Sequence, residues 1–273
     1  MSEAIAVLHG AFGRACIYCM DRTMVSHAHR EGHLLFHVHG NPGEVYVDGC
    51  PIPLGPRRAV AVNPWQAHYY HQPAPGGQTL VLVLYIRPTW FWSAVGSRTF
   101  SLRFGRADIE VSHELARLID VSAILDRNPN EAAINDWLLS ITQYCFDRSW
   151  HGSDPMERFA SVRDFRLRKA IHLLEQRVCE PVELDSVARE TGLSRPHFYK
   201  LFRQQVGVTP NIYLNSLRME RAIDRLTKTT EAVAAIGLDL GFSSQASFSR
   251  FFIANGVVPP SAYRRSAQIA LSG

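Results

Sequence analysis

One segment of this chain occurs twice, and that repeat limits the fold more than any other feature. Residues 186–213 read SVARETGLSRPHFYKLFRQQVGVTPNIY, and residues 235–265 read AIGLDLGFSSQASFSRFFIANGVVPPSAYRR. Val187, Gly192, Leu193, Ser194, Phe198, Leu201, Phe202, Gly207, Pro210 and Tyr213 recur in order as Ile236, Gly241, Phe242, Ser243, Phe248, Phe251, Phe252, Gly256, Pro260 and Tyr263. The register slips by one residue in the turn and again near the last glycine. Self-similarity at this spacing means two copies of one supersecondary unit. Each copy reads as a short helix, a glycine turn and a second helix stopped by glycine and proline. In the second copy Ile236 and Leu240 form an inner face, and Gly241 supplies a turn that favours positive φ. Phe242, Phe248, Phe251 and Phe252 mark the buried side of its second helix. Gln245, Ala246, Ser247, Ser249 and Arg250 are left outward, and small polar side chains with one arginine suit a helix entering a DNA groove.

Two helix-turn-helix units in about a hundred residues, the second ending G-x-x-P-P-x-x-Y-R, resemble the DNA-binding domain of the AraC/XylS family of bacterial transcription regulators. The resemblance covers residues 163–265. It implies base reading by Pro196, Tyr199 and Lys200 in the first unit and by Gln245, Ala246 and Arg250 in the second. Arg195, Arg203, Ser244 and Ser249 join them on the groove-facing side, where arginines also meet phosphate. Pro196 departs from a hydrogen-bonding side chain, so reading there is apolar. Gln pairs with adenine and Arg with guanine, each worth about 1–3 kcal/mol of discrimination.

Charge distribution agrees with a DNA partner. The net charge of +4 is unevenly shared. From residue 161 onward 16 lysines and arginines face 10 acids, a net of +6, whereas residues 1–160 carry 13 against 15, a net of −2. A chain of 273 residues is too long for the repeat domain alone, which predicts two domains.

Residues 1–100 read as short strands. Residues 34–38, 45–47, 59–62 and 80–86 are β-branched or aromatic, separated by Gly40-Asn41-Pro42-Gly43, Asp48-Gly49, residues 53–56 and residues 73–77. Such spacing predicts an antiparallel barrel or sandwich. The order H-x-H-x-x-x-H, then VDG, then NPWQAH is similar to the cupin barrel that serves as the effector-binding domain of many regulators of that family. The expected architecture is therefore a cupin-like jelly roll with following helices (1–150), a linker (151–162), and an all-α double helix-turn-helix domain (163–273).

His27, His29, His33 and His68 stand where a metal-binding cupin places its ligands. If His27 and His29 lie on a strand, alternation turns both inward. His33 replaces the usual Glu of the enzymatic pattern, and Gln72 stands near its usual final Asn. Polar pocket lining without cofactor is therefore the main expectation, with a divalent metal at the four histidines as the alternative. Trp65 and Tyr70 are expected beside them in the effector pocket. Tyr69 and Trp90 fit pocket or core equally. Cys16-Ile17-Tyr18-Cys19 has no second pair to complete a zinc site, and residues three apart on a strand face opposite sides.

Residues 108–149 change period. Ile109, Leu115, Leu118, Ile119, Val121 and Leu125 form one apolar stripe; Ala133, Ile134, Trp137, Leu138, Ile141 and Cys145 form a second, after the breaker Asn128-Pro129-Asn130. Two amphipathic helices are expected, packing on the barrel and, as the resemblance implies, one of them on a second copy in a homodimer. Residues 163–178 predict a further amphipathic helix, and residues 212–226 a long one joining the repeat units.

The five scattered cysteines suit a reducing compartment. The N-terminus lacks a basic region followed by a sustained apolar run, and the longest apolar run, residues 80–86, cannot span a bilayer. The chain is thus expected to be a cytoplasmic, sequence-specific transcriptional regulator, more readily an activator contacting RNA polymerase, and not an enzyme. Its expected partners are double-stranded DNA, a small-molecule effector and a second copy, with no membrane. The rival readings are a metal-dependent cupin enzyme with a DNA-binding tail and a sequence-tolerant architectural binder.

Overall fold

The computed structural model describes residues 2–94, 102–119, 121–125, 130–150, 164–256 and 258–271. The expected linker falls outside these residues. Eight strands come first: β1 (Glu3–Gly10), β2 (Gly13–Met20), β3 (Gly32–Gly40), β4 (Gly43–Val47), β5 (Cys50–Leu54), β6 (Arg58–Val62), β7 (His68–His71) and β8 (Thr79–Ile86). Then follow α1 (Pro88–Ala94), β9 (Asp108–Glu110), α2 (His113–Leu118), α3 (Ser122–Leu125) and α4 (Glu131–Ser149). The strands form two antiparallel sheets, ordered β1-β2-β8-β3-β6-β9 and β5-β4-β7. Pro51 and Pro53 withhold donors from β5, which accordingly lies at a sheet edge.

Strand alternation builds two cores. Cys16, Tyr18, Leu35, Val60, Val62, Val81 and Val83 point one way and pack on Val45, Val47, Leu54 and Tyr70 of the smaller sheet. Ala15, Ile17, Leu34, Phe36, Leu82, Leu84 and Ile86 point the other way and are covered by the helices through Phe91, Leu115, Ile134, Leu138, Ile141 and Cys145. The larger sheet is buried on both faces, so its strands read as continuous apolar runs instead of alternating ones. Cys16 and Cys19 lie on opposite faces of β2, as their spacing requires.

The first apolar stripe is not one helix. Ile109 lies in β9, opposite Ala59 on β6, and Ser112 then caps α2 by accepting from Leu115 N at 3.2 Å. The hydroxyl cap starts a helix where periodicity alone ran straight through. The second stripe is α4. Asn130 caps it, accepting from Ala132 N and Ala133 N, while Asn128 and Pro129 lie outside the described residues. Its apolar face is spent within the chain, and Asp136, Ser140, Gln143 and Asp147 face solvent.

The C-terminal helices are α5 (Phe165–Gln176), α6 (Leu184–Glu190), α7 (Arg195–Val206), α8 (Pro210–Lys228), α9 (Val233–Asp239), α10 (Gln245–Gly256) and α11 (Pro260–Leu271). The repeat is α6-turn-α7 and α9-turn-α10, with α8 connecting the copies. The turn glycines, Gly192 at φ +71° and Gly241 at φ +81°, occupy the left-handed region that side chains resist. Phe198, Phe202, Phe248 and Phe252 are fully buried. Phe242 and Phe251 are only half-buried, their rings tilted against one another with centroids 4.8 Å apart. Among the described residues, no helix is long and apolar enough to cross a membrane.

Candidate nucleic-acid interface and ligand cavity

The inner faces of α7 and α10 are consumed by their phenylalanines, which dictates what points out. Arg195, Pro196, Lys200 and Arg203 on α7, with Ser244 just before α10 and Gln245, Ala246 and Arg250 on it, are exposed; Tyr199 and Ser249 are half-buried. The two helices begin fifty residues apart, so Pro196 matches Ala246, Tyr199 matches Ser249 and Lys200 matches Arg250. This register pairs Gln245 with Arg195, one position off the expected set. Arg195 ion-pairs with Asp185 on α6 at 3.3 Å and lies 5.8 Å from the Tyr199 ring. Tyr199 accepts a hydrogen bond from Asn211 at 3.2 Å. At the start of α10, Ser244 and Ser247 cap reciprocally, each hydroxyl accepting the other's N–H at 3.1 Å. Arg250, Ile253 and Ala254 border a 250 Å³ cavity shared with Ser2, Arg22, Thr23, Met24 and Val25 of the sheet domain.

A second candidate site lies between the two sheets. A cavity of about 30 Å³ is lined by Tyr18, Met24, His27, His33, His68, Tyr70 and Tyr85 together with aliphatic side chains. His27 is not on a regular strand: it makes an isolated bridge to His68 before β3 begins. The four expected histidines nevertheless converge. Ring centroids are 4.4 Å apart for His27 and His68, 4.9 Å for His27 and His29, and 4.3 Å for His33 and His68. Burial pushes all four imidazoles below their ordinary range, and for His29, His33 and His68 the neighbouring histidines add to that effect. They are neutral at pH 7.

Tyr70 lines this cavity, but Trp65 does not. Trp65 adopts φ +60° and stacks on Tyr213 of α8, with ring centroids 4.6 Å apart. Its place is the boundary between the two domains. Tyr69 stacks on Tyr46 on the smaller sheet, and Trp90 packs on Phe12. Gln72 donates to Tyr70 Oη and Gly77 O, apart from the histidines.

The domain boundary holds residues that the sequence reading passed over. Ser216 of α8 donates to Ala28 O at 2.5 Å, and Ser266 of α11 donates to Ala4 O at 2.5 Å. Tyr213 stacks on Trp65, and Tyr263 meets His9 at 3.3 Å. Each Pro-x-x-Tyr-x-x-Ser therefore meets the sheet domain with a tyrosine ring and a serine hydroxyl. The repeat extended to these serines at the same fifty-residue offset was the available signal. Arg30 adds ion pairs to Glu175 at 2.7 Å and Glu220 at 3.5 Å. Burial pushes the Glu220 carboxyl up to about 7 against the pull of Arg30, and burial beside Arg14 pushes His9 down to about 3. Between β1, β2 and α8 runs a cleft of about 840 Å³ lined by Arg14, Arg30, Arg87, Arg221 and Lys228, with Glu31, Glu220 and Asp224 among them.

Known proteins match both halves. An AraC-like ligand binding domain matches residues 17–141, and a helix-turn-helix domain matches residues 187–266. The lactose operon transcription activator of Staphylococcus xylosus is 22% identical over 193 residues, 66% of this chain and 68% of its own length. The regulatory protein PocR of Salmonella typhimurium is 31% identical over 108 residues, 40% of this chain. The chain spans only 36–37% of the length of PocR and of several other curated relatives. In fold, it is similar to a crystal structure of ToxT from Vibrio cholerae with an unsaturated fatty acid bound: TM-score 0.58, 15% identity, covering 92% of this chain and 94% of that one.

Proposed function

The chain belongs to the AraC-type family of transcriptional regulators, and we propose that it reads double-stranded DNA through α7 and α10 under the control of a small-molecule effector. The observation that carries this reading is a pair of repeated reading helices with unlike exposed faces, in the half of the chain that holds the basic surplus. Unlike faces at equivalent positions suit two different base sequences in successive major grooves.

The effector acts on the boundary. The 840 Å³ cleft has room for an organic molecule, and its guanidiniums select a carboxylate or another small anion. That ToxT, alike in fold, is seen with a fatty acid supports this class of ligand. A ligand bridging Arg30 or Arg14 to α8 has different affinity for docked and undocked arrangements, which shifts their populations. The 30 Å³ cavity between the sheets admits no organic substrate, so we read it as a binding site and not a catalytic one. Activation through RNA polymerase, a homodimer and a cytoplasmic location complete the proposal. Ile134, Leu138, Ile141 and Cys145 of α4 are buried within the chain, so a second copy packing on this helix would meet its exposed side.

Fluorescence anisotropy against the DNA upstream of its own gene and against random DNA, across a salt series, tests the reading. Specific binding ~10³-fold tighter than random with a steep salt slope supports it. Equal binding to both, with and without small carboxylates, contradicts it.

A further inference from the structure

We infer that the histidine cluster between the two sheets is a binding site for one borderline transition-metal ion, Zn²⁺ or a neighbour in its series. Ligand atoms of His27, His29 and His68 all lie within 4.8 Å of one another. His33 is beside them, its ring 4.3 Å from that of His68 and 5.1 Å from that of His29. Three imidazoles converge and a fourth stands beside them, from three places in the chain: the segment before β3, β3 itself and β7.

Hydrogen bonding fixes which atoms face inward. Nδ1 of His27 lies 2.8 Å from Val25 O, and Nδ1 of His68 lies 2.7 Å from Gln66 O. A carbonyl only accepts, so each Nδ1 carries the proton and each Nε2 presents a bare lone pair. A backbone carbonyl holding the far nitrogen is the outer support that metal-bound histidines use. The inward atoms are unsatisfied: His29 Nε2, His68 Nε2 and both ring nitrogens of His33 are buried without a hydrogen-bond partner. Buried unpaired polar atoms are costly, and so many in one cluster calls for an occupant.

Volume and donor type identify that occupant. A cavity of 30 Å³ holds an ion with a water and no organic molecule. The donors are neutral nitrogens with no carboxylate in the set, which excludes Mg²⁺ and Ca²⁺ and selects Zn²⁺, Co²⁺, Ni²⁺, Cu²⁺ or Fe²⁺. Tetrahedral Zn–N bonds place nitrogens about 3.4 Å apart, so binding draws the rings together by roughly 1 Å. The positive charge of Arg14, 3.9 Å above the Tyr85 ring that touches His29 and His33, is opposed by Glu31 at 3.9 Å.

Occupancy also reaches the domain boundary. Ala28, whose carbonyl accepts from Ser216, lies between His27 and His29. His29 O accepts from Trp65 N at 2.7 Å, and Arg30 follows with its pairs to Glu175 and Glu220. An ion holding His27 and His29 therefore fixes the backbone on which α8 docks.

The full chain, stripped with a chelator and desalted, is titrated with Zn²⁺ against a chromophoric competitor and with Co²⁺ by visible absorption. The expected result is one ion per chain with a tetrahedral Co²⁺ spectrum. His33→Gln and His68→Gln should weaken it at least 100-fold, while His39→Gln and His197→Gln, at exposed histidines, leave it unchanged. X-ray absorption of the wild-type zinc form, which needs no variant to fold, should show three or four imidazole nitrogens. Substoichiometric uptake, an oxygen-rich shell, or equal loss with the exposed-histidine variants overturns the site. None of these readouts involves DNA, so they stand or fall apart from the regulatory reading.

Discussion

In the first helix-turn-helix unit the reading helix opens Arg195-Pro196 and carries Lys200 and Arg203; in the second it opens Gln245-Ala246 and carries Ser249, Arg250 and Ile253. Their buried sides differ far less: Phe198 and Phe202 in one, Phe248 and Phe252 in the other, all fully buried. The core dictates the fold and leaves the outer positions free to diverge. On those positions the first unit sets Arg195 and Arg203, cations that suit phosphates, around Tyr199 and Lys200, and the second keeps one cation with small polar neighbours that suit base edges. The packing differs in one further respect. Ala188 of α6 has as its counterpart Gly237 of α9, where an added Cβ would lie 2.8 Å from the Phe248 side chain. The second unit's helices approach more closely than a methyl group permits. Its turn is also packed against another part of the chain: a Cβ on Gly241 would stand 3.1 Å from Cys179 O, whereas Gly192 has open space around it.

The largest expected effect separates the two outer faces. Arg195→Ala with Arg203→Ala should cost on the order of 100-fold in affinity on any DNA and lower the salt slope by about 2, because each lost phosphate contact releases one counterion fewer. Arg250→Ala should instead cost about 1–3 kcal/mol on the selected site and almost nothing on random DNA. Uniform losses in both variants would abolish the division of labour.

Next comes the connection between the units. Glu220 on α8 titrates near 7 in the folded chain and near the ordinary 4.5 when unfolded. The folded state therefore holds the proton over a wider range, and stability falls as pH rises from 4.5 to 7, by up to about 3 kcal/mol. Glu220→Gln should remove that decline. Melting temperatures of the two proteins across pH 4.5–8 that run parallel would refute it.

Gly237→Ala should destabilise the second unit by about 1–3 kcal/mol through overpacking, against about 1 kcal/mol for Ala188→Gly in the first. Denaturant midpoints decide it, and equal losses would erase the difference in approach. Smallest, Ser216→Ala and Ser266→Ala should each cost about 1 kcal/mol and loosen docking. Their equality is the prediction, since the contacts are repeats of one another, and hydrogen exchange at β1 and at Ala28 measures it.

Much of this was legible because repeats and phenylalanine periods are local signals. The glycine turns, the buried and exposed sides of α7 and α10, the bridging helix α8 and the strand-rich N-terminal half all follow from spacing. His27 and His29 precede β3 and converge through a bridge to His68, where strand alternation alone does not account for them. Trp65 looked like pocket lining because its chemistry is the same at a domain boundary, and only the path of the chain after His29 places it against Tyr213. Ile109 continues the helical period of the residues after it, because a three-residue strand carries no period of its own. Ser216 and Ser266 escaped because a serine gives no hydrophobic signal, although their offset was in the repeat.

Under the proposed function, two unlike reading helices in one chain recognise two unlike half-sites. Selection of bound sequences from a random duplex pool by the full chain tests it directly. The account predicts an enriched site of two dissimilar elements centred about 10–10.5 bp apart, with Arg250→Ala relaxing a guanine in only one of them. Two identical elements, or a pool that remains random, would contradict it.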